Sequence, residues 1–336
     1  MANDAALDLP GVLYVSTEDD LDLPVIDVTH PAFALGLSPE DLDAAHEQQV
    51  QQMRSQPEVT PQILERFHGS VIGRALVASA GGVLGAIPTY YLKVGLQGIC
   101  ASAHPIDRAI AGSPAATLVR QRLQDMARLL ADGLKPRLVE QPDANILLTC
   151  LAGGAAAETW NTLLYLKQES APLIAARAVA VRVLDMDASA PEFGGKAMSA
   201  LCEAGNPLGE IPVSWEYHPY DWAKAEELAA YLEAWEARKL VCAVSSEGGL
   251  FEYGSDEEIV ANLKAIDAGT GPGTVVVGSV TRDCESVRRT LERGGMALRP
   301  RALEEFRGLA DGAGWELDAV LERPGTFNVR LGKRPS

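Results

Sequence analysis

Small residues and an acid follow two consecutive apolar stretches of the chain. The segment Ala152-Gly153-Gly154 comes directly after the apolar residues 146–151, and Asp185 comes directly after a second apolar stretch, 179–184. Small residues let backbone N–H groups approach a ligand at the start of a helix, and a carboxylate leaving the next strand can accept hydrogen bonds from both hydroxyls of a ribose. The pattern therefore predicts a ligand that contains a nucleoside.

The elements that must position these residues alternate between strand and helix. Strands are predicted at 146–151, 179–184, 213–217, 240–244, 274–280, 317–322 and 327–331, and helices at 158–168, 192–203, 223–237, 256–268 and 284–292. Apolar strands that alternate with helices predict a mainly parallel sheet covered on both faces. The last two strands are joined only by Arg323-Pro324-Gly325-Thr326. Because this connection is too short for a crossover helix, it predicts an antiparallel hairpin.

The first 140 residues are predicted to form two further segments. Residues 1–60 are acidic and rich in proline, with a helix start at Ser38-Pro39, and are interpreted as an N-terminal arm. Residues 61–140 have helical periodicity and are interpreted as a helical cap or dimerisation subdomain, which leaves 141–336 as the catalytic domain. The long apolar faces of the cap suit packing either over the site or against a second subunit, and a homodimer is expected.

Composition narrows the classes of partner and compartment. The 336 residues include 29 basic and 46 acidic side chains, and the resulting net charge of −17 disfavours nucleic acids and anionic membrane surfaces. The five cysteines are scattered without metal or redox spacing, and no secretory signal is recognised, so a cytoplasmic protein with reduced thiols is expected. Residues 75–92 carry no charge, but their glycines and proline favour two short buried helices over a membrane span.

The order of strand–helix units closed by a terminal hairpin resembles the class I S-adenosylmethionine-dependent methyltransferase fold, over roughly residues 140 to 334. The resemblance implies a doubly wound α/β fold whose seven-stranded, mainly parallel sheet has an antiparallel last strand, and it implies S-adenosylmethionine as the cofactor. It also implies roles for individual residues. These are Ala152, Gly153 and Gly154 at the methionine part of the cofactor, Asp185 at the ribose, Asp221 and Trp222 at the adenine, and Ser245, Ser246 and Glu247 near the methionine part and the acceptor.

The chain departs from the family pattern in its first motif. The family usually has an acid before the first glycine and the form Gly-x-Gly-x-Gly, whereas Thr149-Cys150-Leu151 precedes Gly153-Gly154-Ala155 here. A Rossmann dehydrogenase is the structural alternative, because its fingerprint also follows a first strand and places an acid on the next. Two features argue against that alternative: the chain lacks the Gly-x-Gly-x-x-Gly fingerprint, and it ends in a predicted hairpin.

Two kinds of side chain could assist transfer from a sulfonium. Glu247 and His68 are candidate bases for removing a proton from a hydroxyl acceptor. Tyr90, Tyr91 and Trp160 could form an aromatic wall whose attraction for a cation is worth about 0.5–2 kcal/mol. No metal site is predicted, since Asp185-x-Asp187 has no histidine nearby in sequence.

Three functions are compatible with these patterns. The first is a methyltransferase that modifies a small molecule in secondary metabolism. The second is a cyclase of the same fold, in which the α-amine of S-adenosylmethionine closes on its own γ-carbon to give azetidine-2-carboxylate and methylthioadenosine. A sealed aromatic pocket with no room for an acceptor would favour this cyclase. The third is a non-catalytic binding protein.

Overall fold

The computed structural model describes residues 9–54, 65–79, 82–100, 103–233, 240–294 and 296–334. A short antiparallel ribbon, β1 and β2, opens the described chain, and five helices follow. Their bounds are β1 Tyr14–Ser16, β2 Asp22–Pro24, α1 Pro39–Arg54, α2 Val71–Ala78, α3 Ala86–Gly98, α4 Pro105–Ala111 and α5 Pro114–Glu140. Helix α1 begins where the Ser38-Pro39 signal predicted, because the Ser38 hydroxyl accepts a hydrogen bond from the Asp41 N–H at 3.1 Å.

The uncharged stretch 75–92 contributes to two separate helices, α2 and α3, as predicted. The prediction that both are buried is wrong for much of the stretch, because Val77 and Val83 are exposed and the buried apolar residues of its described part are Tyr90, Tyr91 and Leu92. Parts of the predicted cap, residues 61–64 and 80–81, lie outside the described residues. Across the described part of the chain, no helix is both long enough and apolar enough to cross a bilayer.

The remaining chain forms a seven-stranded sheet with helices between its strands. The strands are β3 Asn145–Leu151, β4 Val179–Asp185, β5 Val213–Pro219, β6 Leu240–Ser246, β7 Val275–Thr281, β8 Trp315–Glu322 and β9 Thr326–Lys333. The helices are α6 Ala157–Ser170, α7 Ser189–Leu201, α8 Ala225–Glu233, α9 Leu250–Tyr253, α10 Asp256–Gly269, α11 Glu285–Gly294 and α12 Leu303–Gly312. The predicted strands and their order are confirmed. The end of the helix predicted at 223–237 lies outside the described residues.

The strand order across the sheet is β5, β4, β3, β6, β7, β9, β8. Strands β3 to β7 pair in parallel, and β9 pairs antiparallel with both β7 and β8. This is the doubly wound arrangement with an antiparallel last strand that the sequence predicted. Successive strands are added outward from β3 in one direction and then from β6 in the other. Ligands of such sheets bind outside the carboxyl ends of the strands at this change of direction.

Two buried clusters cover the two faces of the sheet. Helices α5, α6 and α7 pack on one face, together with arm and cap residues such as Ile26 and Tyr90. Helices α8, α10 and α12 pack on the other face around Trp315. Because the first cluster is continuous from the arm through the cap to β3, these three predicted segments share one hydrophobic core.

Candidate functional site

A cavity of about 320 Å³ opens at the carboxyl ends of β3, β4 and β6. Its walls are the turn after β3, the acidic loop after β4, the segment after β5, the segment after β6, and the N-terminal part of α3 with the residues before it. The lining residues are Val83, Leu84, Gly85, Ala86, Thr89, Tyr90, Lys93, Ala152, Gly153, Gly154, Ala155, Asp185, Met186, Asp187, Tyr220, Trp222, Glu247, Gly248, Gly249 and Tyr253. The cavity therefore lies where the topology of the sheet predicts a ligand.

The turn after β3 is held in an unusual backbone conformation. Ala152, Gly154 and Ala156 have φ angles of 51°, 63° and 53°, which place all three in the left-handed region. This region costs an L-residue with a Cβ roughly 1–2 kcal/mol, and strain of this kind concentrates at functional sites. At Gly154 a Cβ would also lie 2.9 Å from the Ala86 Cβ. The absence of a side chain at Gly154 therefore lets α3 approach the turn.

Asp185 joins this turn to the loop after β4. Its Oδ2 accepts a hydrogen bond from the Gly154 N–H at 3.0 Å, and its Oδ1 accepts one from the Asp187 N–H at 3.1 Å. Burial raises the pKa of Asp185, and the backbone hydrogen bonds from Asp187 and Gly154 oppose that rise. The carboxylate is thus fixed at the cavity wall, between the turn and the acidic loop.

A buried cluster of charges lies at the opposite wall. Lys93 Nζ forms an ion pair with Glu247 Oε2, and Arg122 Nε contacts Glu247 Oε1 at 2.6 Å. Arg122 Nη1 also contacts Glu252 Oε1, at 2.9 Å. Burial alone would raise the pKa of Glu247, but the charges of Lys93 and Arg122 outweigh it and hold the pKa below its ordinary value. An ionised carboxylate held by two cations is a weak base, so this geometry favours an electrostatic role for Glu247 over proton abstraction.

Glu158 is a second buried carboxyl group, in the first turn of α6 and beneath the turn after β3. Its Oε1 accepts hydrogen bonds from Cys150 Sγ at 3.1 Å and from Ser245 Oγ at 2.8 Å. Its Oε2 is buried and has no hydrogen-bond partner among the described residues. Burial first, and the negative charge of Glu247 second, raise the pKa of Glu158. This carboxyl group therefore holds its proton to a higher pH than an exposed glutamate does.

The replacement of Glu158 by glutamine should flatten the pH dependence of stability. Because the folded-state pKa lies above the ordinary value of 4.5, the folded protein holds this proton more tightly than the unfolded chain. The free energy of unfolding should then fall as the pH rises above 4.5, and Glu158→Gln should remove that part of the slope. Urea unfolding from about pH 5 to about pH 8 would measure the effect. Glu257→Gln, at an exposed glutamate in the first turn of α10, is the matched control and should keep the wild-type slope. An unchanged slope in Glu158→Gln would contradict the raised pKa.

Two of the predicted aromatic residues hold the N-terminal arm. The Tyr90 hydroxyl accepts a hydrogen bond from the Ile26 N–H at 3.0 Å and donates one to the Pro24 carbonyl at 2.8 Å. Trp160 Nε1 donates to the Ile26 carbonyl at 2.8 Å. Tyr90 still lines the cavity, whereas Trp160 is fully buried and does not. The indole of Trp160 thus has a structural partner, and the structure does not bring this residue to the cavity wall.

Five other predicted site residues also lie away from the cavity lining. Tyr91 is buried beside Asp107 and Cys100, and burial raises its pKa to about 12. His68 is exposed before α2, Asp221 accepts a hydrogen bond from the Ala223 N–H, and Ser245 and Ser246 are turned inward to Glu158 and to the Leu250 N–H. Asp221, Ser245 and Ser246 thus satisfy nearby polar groups, and none of the five residues lines the cavity. Of the predicted residues, Ala152, Gly153, Gly154, Tyr90, Asp185, Trp222 and Glu247 do line it.

Three charged residues of the cluster around Glu247 were not predicted from the sequence. Lys93, Arg122 and Glu252 come from α3, α5 and α9, and their mutual distances depend on how these elements pack. One signal was present in the sequence, because charged residues inside otherwise apolar helical stretches require a partner when they are buried. No cluster of three or more histidine, cysteine or acidic side chains suited to a metal ion occurs among the described residues.

A second cavity, of about 500 Å³, adjoins the first. Four residues line both cavities: Leu84, Thr89, Gly248 and Tyr253. The other residues that line the second cavity are Gln49, Leu76, Leu92, Ala109, Ile110, Ser113, Ala115, Ala116, Val119, Arg122, Glu252, Met296 and Leu298. The site consequently has two adjoining compartments, one at the ends of the strands and one beneath the helices of the cap.

Comparison with solved structures supports the fold. A possible exported protein from Bordetella parapertussis superposes with a TM-score of 0.55 at 17% sequence identity, over 90% of this chain and 97% of that one. An O-methyltransferase family protein from Burkholderia thailandensis gives a TM-score of 0.42 at 14% identity, over 69% of this chain and 61% of that one. LepI in complex with SAM gives a TM-score of 0.38 at 12% identity, over 61% of this chain and 46% of that one. At such identities the likeness concerns the fold alone.

No protein-family model and no curated protein sequence matches the chain. Functional conclusions therefore depend on the geometry of the site.

Proposed function

We propose that this protein is an S-adenosylmethionine-dependent enzyme that transfers a methyl group to a small molecule. The observation that carries the proposal is the pair of adjoining cavities at the carboxyl ends of the strands, which share Leu84, Thr89, Gly248 and Tyr253. Methyl transfer needs a donor and an acceptor held in contact, and this positioning is its largest catalytic contribution. Two compartments with a common wall meet that need.

The residues of the first cavity suit the cofactor. Small residues expose the backbone after β3, and the Asp185 carboxylate is fixed where it can accept hydrogen bonds from ribose hydroxyls. Met186 and Trp222, which also line the cavity, supply apolar surface for an adenine ring. Lys93 and Glu247, which pair with each other, form a polar end of the same cavity. The apolar surface and Asp185 therefore suit the adenosyl group, and the polar end of the cavity suits the methionine part.

When bound, S-adenosylmethionine supplies an electrophilic methyl group: a lone pair of the acceptor bonds to the methyl carbon, and the electrons of the broken carbon–sulfur bond stay on sulfur. In this proposal the residues of the chain bind the cofactor and the acceptor and orient them toward each other. Since Glu247 is held by two cations, a proton lost by a hydroxyl acceptor passes to water in this proposal.

The cyclase remains the alternative from the same fold. It needs no second cavity, and its distinguishing feature would be a closed pocket around the methionine part. The second cavity of about 500 Å³ supports transfer to a separate acceptor instead. Assembly as a homodimer and a cytoplasmic location stay predictions.

The proposal is tested by incubating the purified full chain with S-adenosylmethionine alone and following the small molecules by mass spectrometry. We expect the cofactor to remain intact, and S-adenosylhomocysteine to bind in a calorimeter. Formation of methylthioadenosine with a cyclic amino acid would replace the methyltransferase by the cyclase. If the protein binds neither S-adenosylmethionine nor S-adenosylhomocysteine, the non-catalytic binding protein is the function that remains.

A further inference from the structure

We propose that the second cavity holds an uncharged, predominantly apolar acceptor, and this inference rests on the proposed function. Most of its lining is aliphatic, from Leu76 of α2 and Leu92 of α3 to Ile110 of α4 and Val119 of α5. A volume of about 500 Å³ lies within the range of pockets that enclose drug-sized organic ligands. Burial of apolar surface is therefore the main source of affinity that this cavity offers.

The charges in the lining argue against an ionic acceptor. Among the residues that line this cavity, the charged side chains are Arg122 and Glu252, and they pair with each other at 2.9 Å. Arg122 is also bound to Glu247, and Glu252 Oε1 also accepts a hydrogen bond from Ser279 Oγ. An anionic or cationic acceptor would have to displace one of these buried contacts, because a buried charge needs a partner. The net charge of −17 repels anionic molecules further.

Tyr253 lies where the two cavities meet. It lines both, and burial raises its pKa to about 12, so its phenol stays protonated near neutral pH. Thr89 is the second hydroxyl side chain shared by the two cavities, and its Oγ1 donates to the Gly85 carbonyl at 2.9 Å. Neutral hydroxyl groups at the shared wall can orient a polar atom of the acceptor toward the first cavity without requiring that it carry a charge. The acceptor class that fits is an apolar molecule with a neutral nucleophilic group.

Two fluorescent dyes that differ only by a sulfonate test the inference on the full chain. N-phenyl-1-naphthylamine is neutral, and 8-anilinonaphthalene-1-sulfonate has the same rings with one negative charge. We expect the neutral dye to bind with saturation, and the anionic dye to bind at least about tenfold more weakly. Equal affinity for both dyes would overturn the inference.

A variant that fills the cavity locates the bound dye. Ala109 is an exposed residue of α4 that lines only the second of the two cavities, so Ala109→Trp adds volume there with little risk to folding. We expect it to weaken binding of the neutral dye by at least about tenfold. Ala261→Trp, at an exposed alanine of α10 that lines neither cavity, is the matched control and should leave dye binding unchanged. Equal binding by both variants would overturn the inference.

Calorimetry with S-adenosylhomocysteine separates failure of this inference from failure of the proposed function. We expect wild type and Ala109→Trp to bind it with equal affinity, and we expect the neutral dye to bind in its presence. Complete displacement of the dye by S-adenosylhomocysteine would place the dye in the first cavity and overturn the inference alone. If the wild-type protein binds no S-adenosylhomocysteine, the proposed function fails, and the acceptor assignment fails with it.

Discussion

Replacement of Glu247 by glutamine is expected to lower the free energy of unfolding by about 3–5 kcal/mol. The substitution keeps the shape of the side chain but removes the negative charge that faces Lys93 and Arg122. Arg122 keeps Glu252 as a partner, whereas Lys93 is left as a buried cation without its carboxylate. Urea unfolding at neutral pH measures the loss.

A surface ion pair provides the control for this loss. Glu210 pairs with Lys167 at 3.8 Å, and 88% of the Glu210 side chain is exposed. Glu210→Gln should therefore change stability by less than about 1 kcal/mol. The double variant Lys93→Met, Glu247→Gln should recover part of the loss, because it removes both charges of the pair. A Glu247→Gln protein as stable as wild type would show that the cluster is not held together by this carboxylate.

The same carboxylate should contribute to acid sensitivity. Since its pKa in the folded protein lies below the ordinary value of 4.5, its stabilising effect is present above that pH and is lost as the pH falls further. The acid limb of the stability profile should be shallower in Glu247→Gln than in wild type.

Replacement of Asp185 by alanine is expected to weaken binding of S-adenosylhomocysteine by more than about 100-fold. Two hydrogen bonds from ribose hydroxyls to a carboxylate contribute roughly 1.5 kcal/mol each, and together they correspond to about that factor. Asp185→Ala also leaves the Gly154 N–H without its partner at 3.0 Å, whereas the hydrogen bond from the Ala152 N–H to the Leu184 carbonyl of β4, at 2.8 Å, remains. Calorimetric titration of both proteins gives the ratio of affinities.

The matched control is the acid that follows the neighbouring strand. Asp221 comes after β5 but lies outside the cavity lining, so Asp221→Ala should alter affinity by less than about threefold. Normal binding by Asp185→Ala would refute the ribose assignment. A large loss in Asp221→Ala would instead restore the contact with adenine that the resemblance implied.

The sheet could be predicted from the sequence because its signals are local. Each strand is a short apolar run between turn residues, and the short connection before β9 excludes a crossover helix. The turn after β3 and Asp185 were predictable for the same reason, since each directly follows a strand. Contacts between side chains of distant elements could not be predicted in this way. Lys93 and Glu247 are 154 positions apart, and no periodicity within either segment encodes their contact.

Trp160 shows how a correct local signal can lead to an incorrect partner. The sequence indicates that its indole N–H needs an acceptor if it is buried. Trp160 was predicted to form part of an aromatic wall around a cation, but the structure buries it, and its indole N–H donates to the Ile26 carbonyl, which lies 134 positions earlier in the chain. The need of the indole N–H for an acceptor could be predicted from the residue type. Which group accepts the hydrogen bond depends on where the N-terminal arm runs in the fold.

The attachment of the arm constrains how the protein is made on a ribosome. Pro24, Ile26 and Val28 are synthesised before their hydrogen-bond partners Tyr90, Trp160 and Asn161, which follow them by 64 to 135 residues. The Ile26 carbonyl and the Val28 N–H lack these partners until α6 has left the exit tunnel. Domains usually fold from the N-terminus during synthesis. Here a segment translated before α3 and α6 depends on both helices to reach its final position.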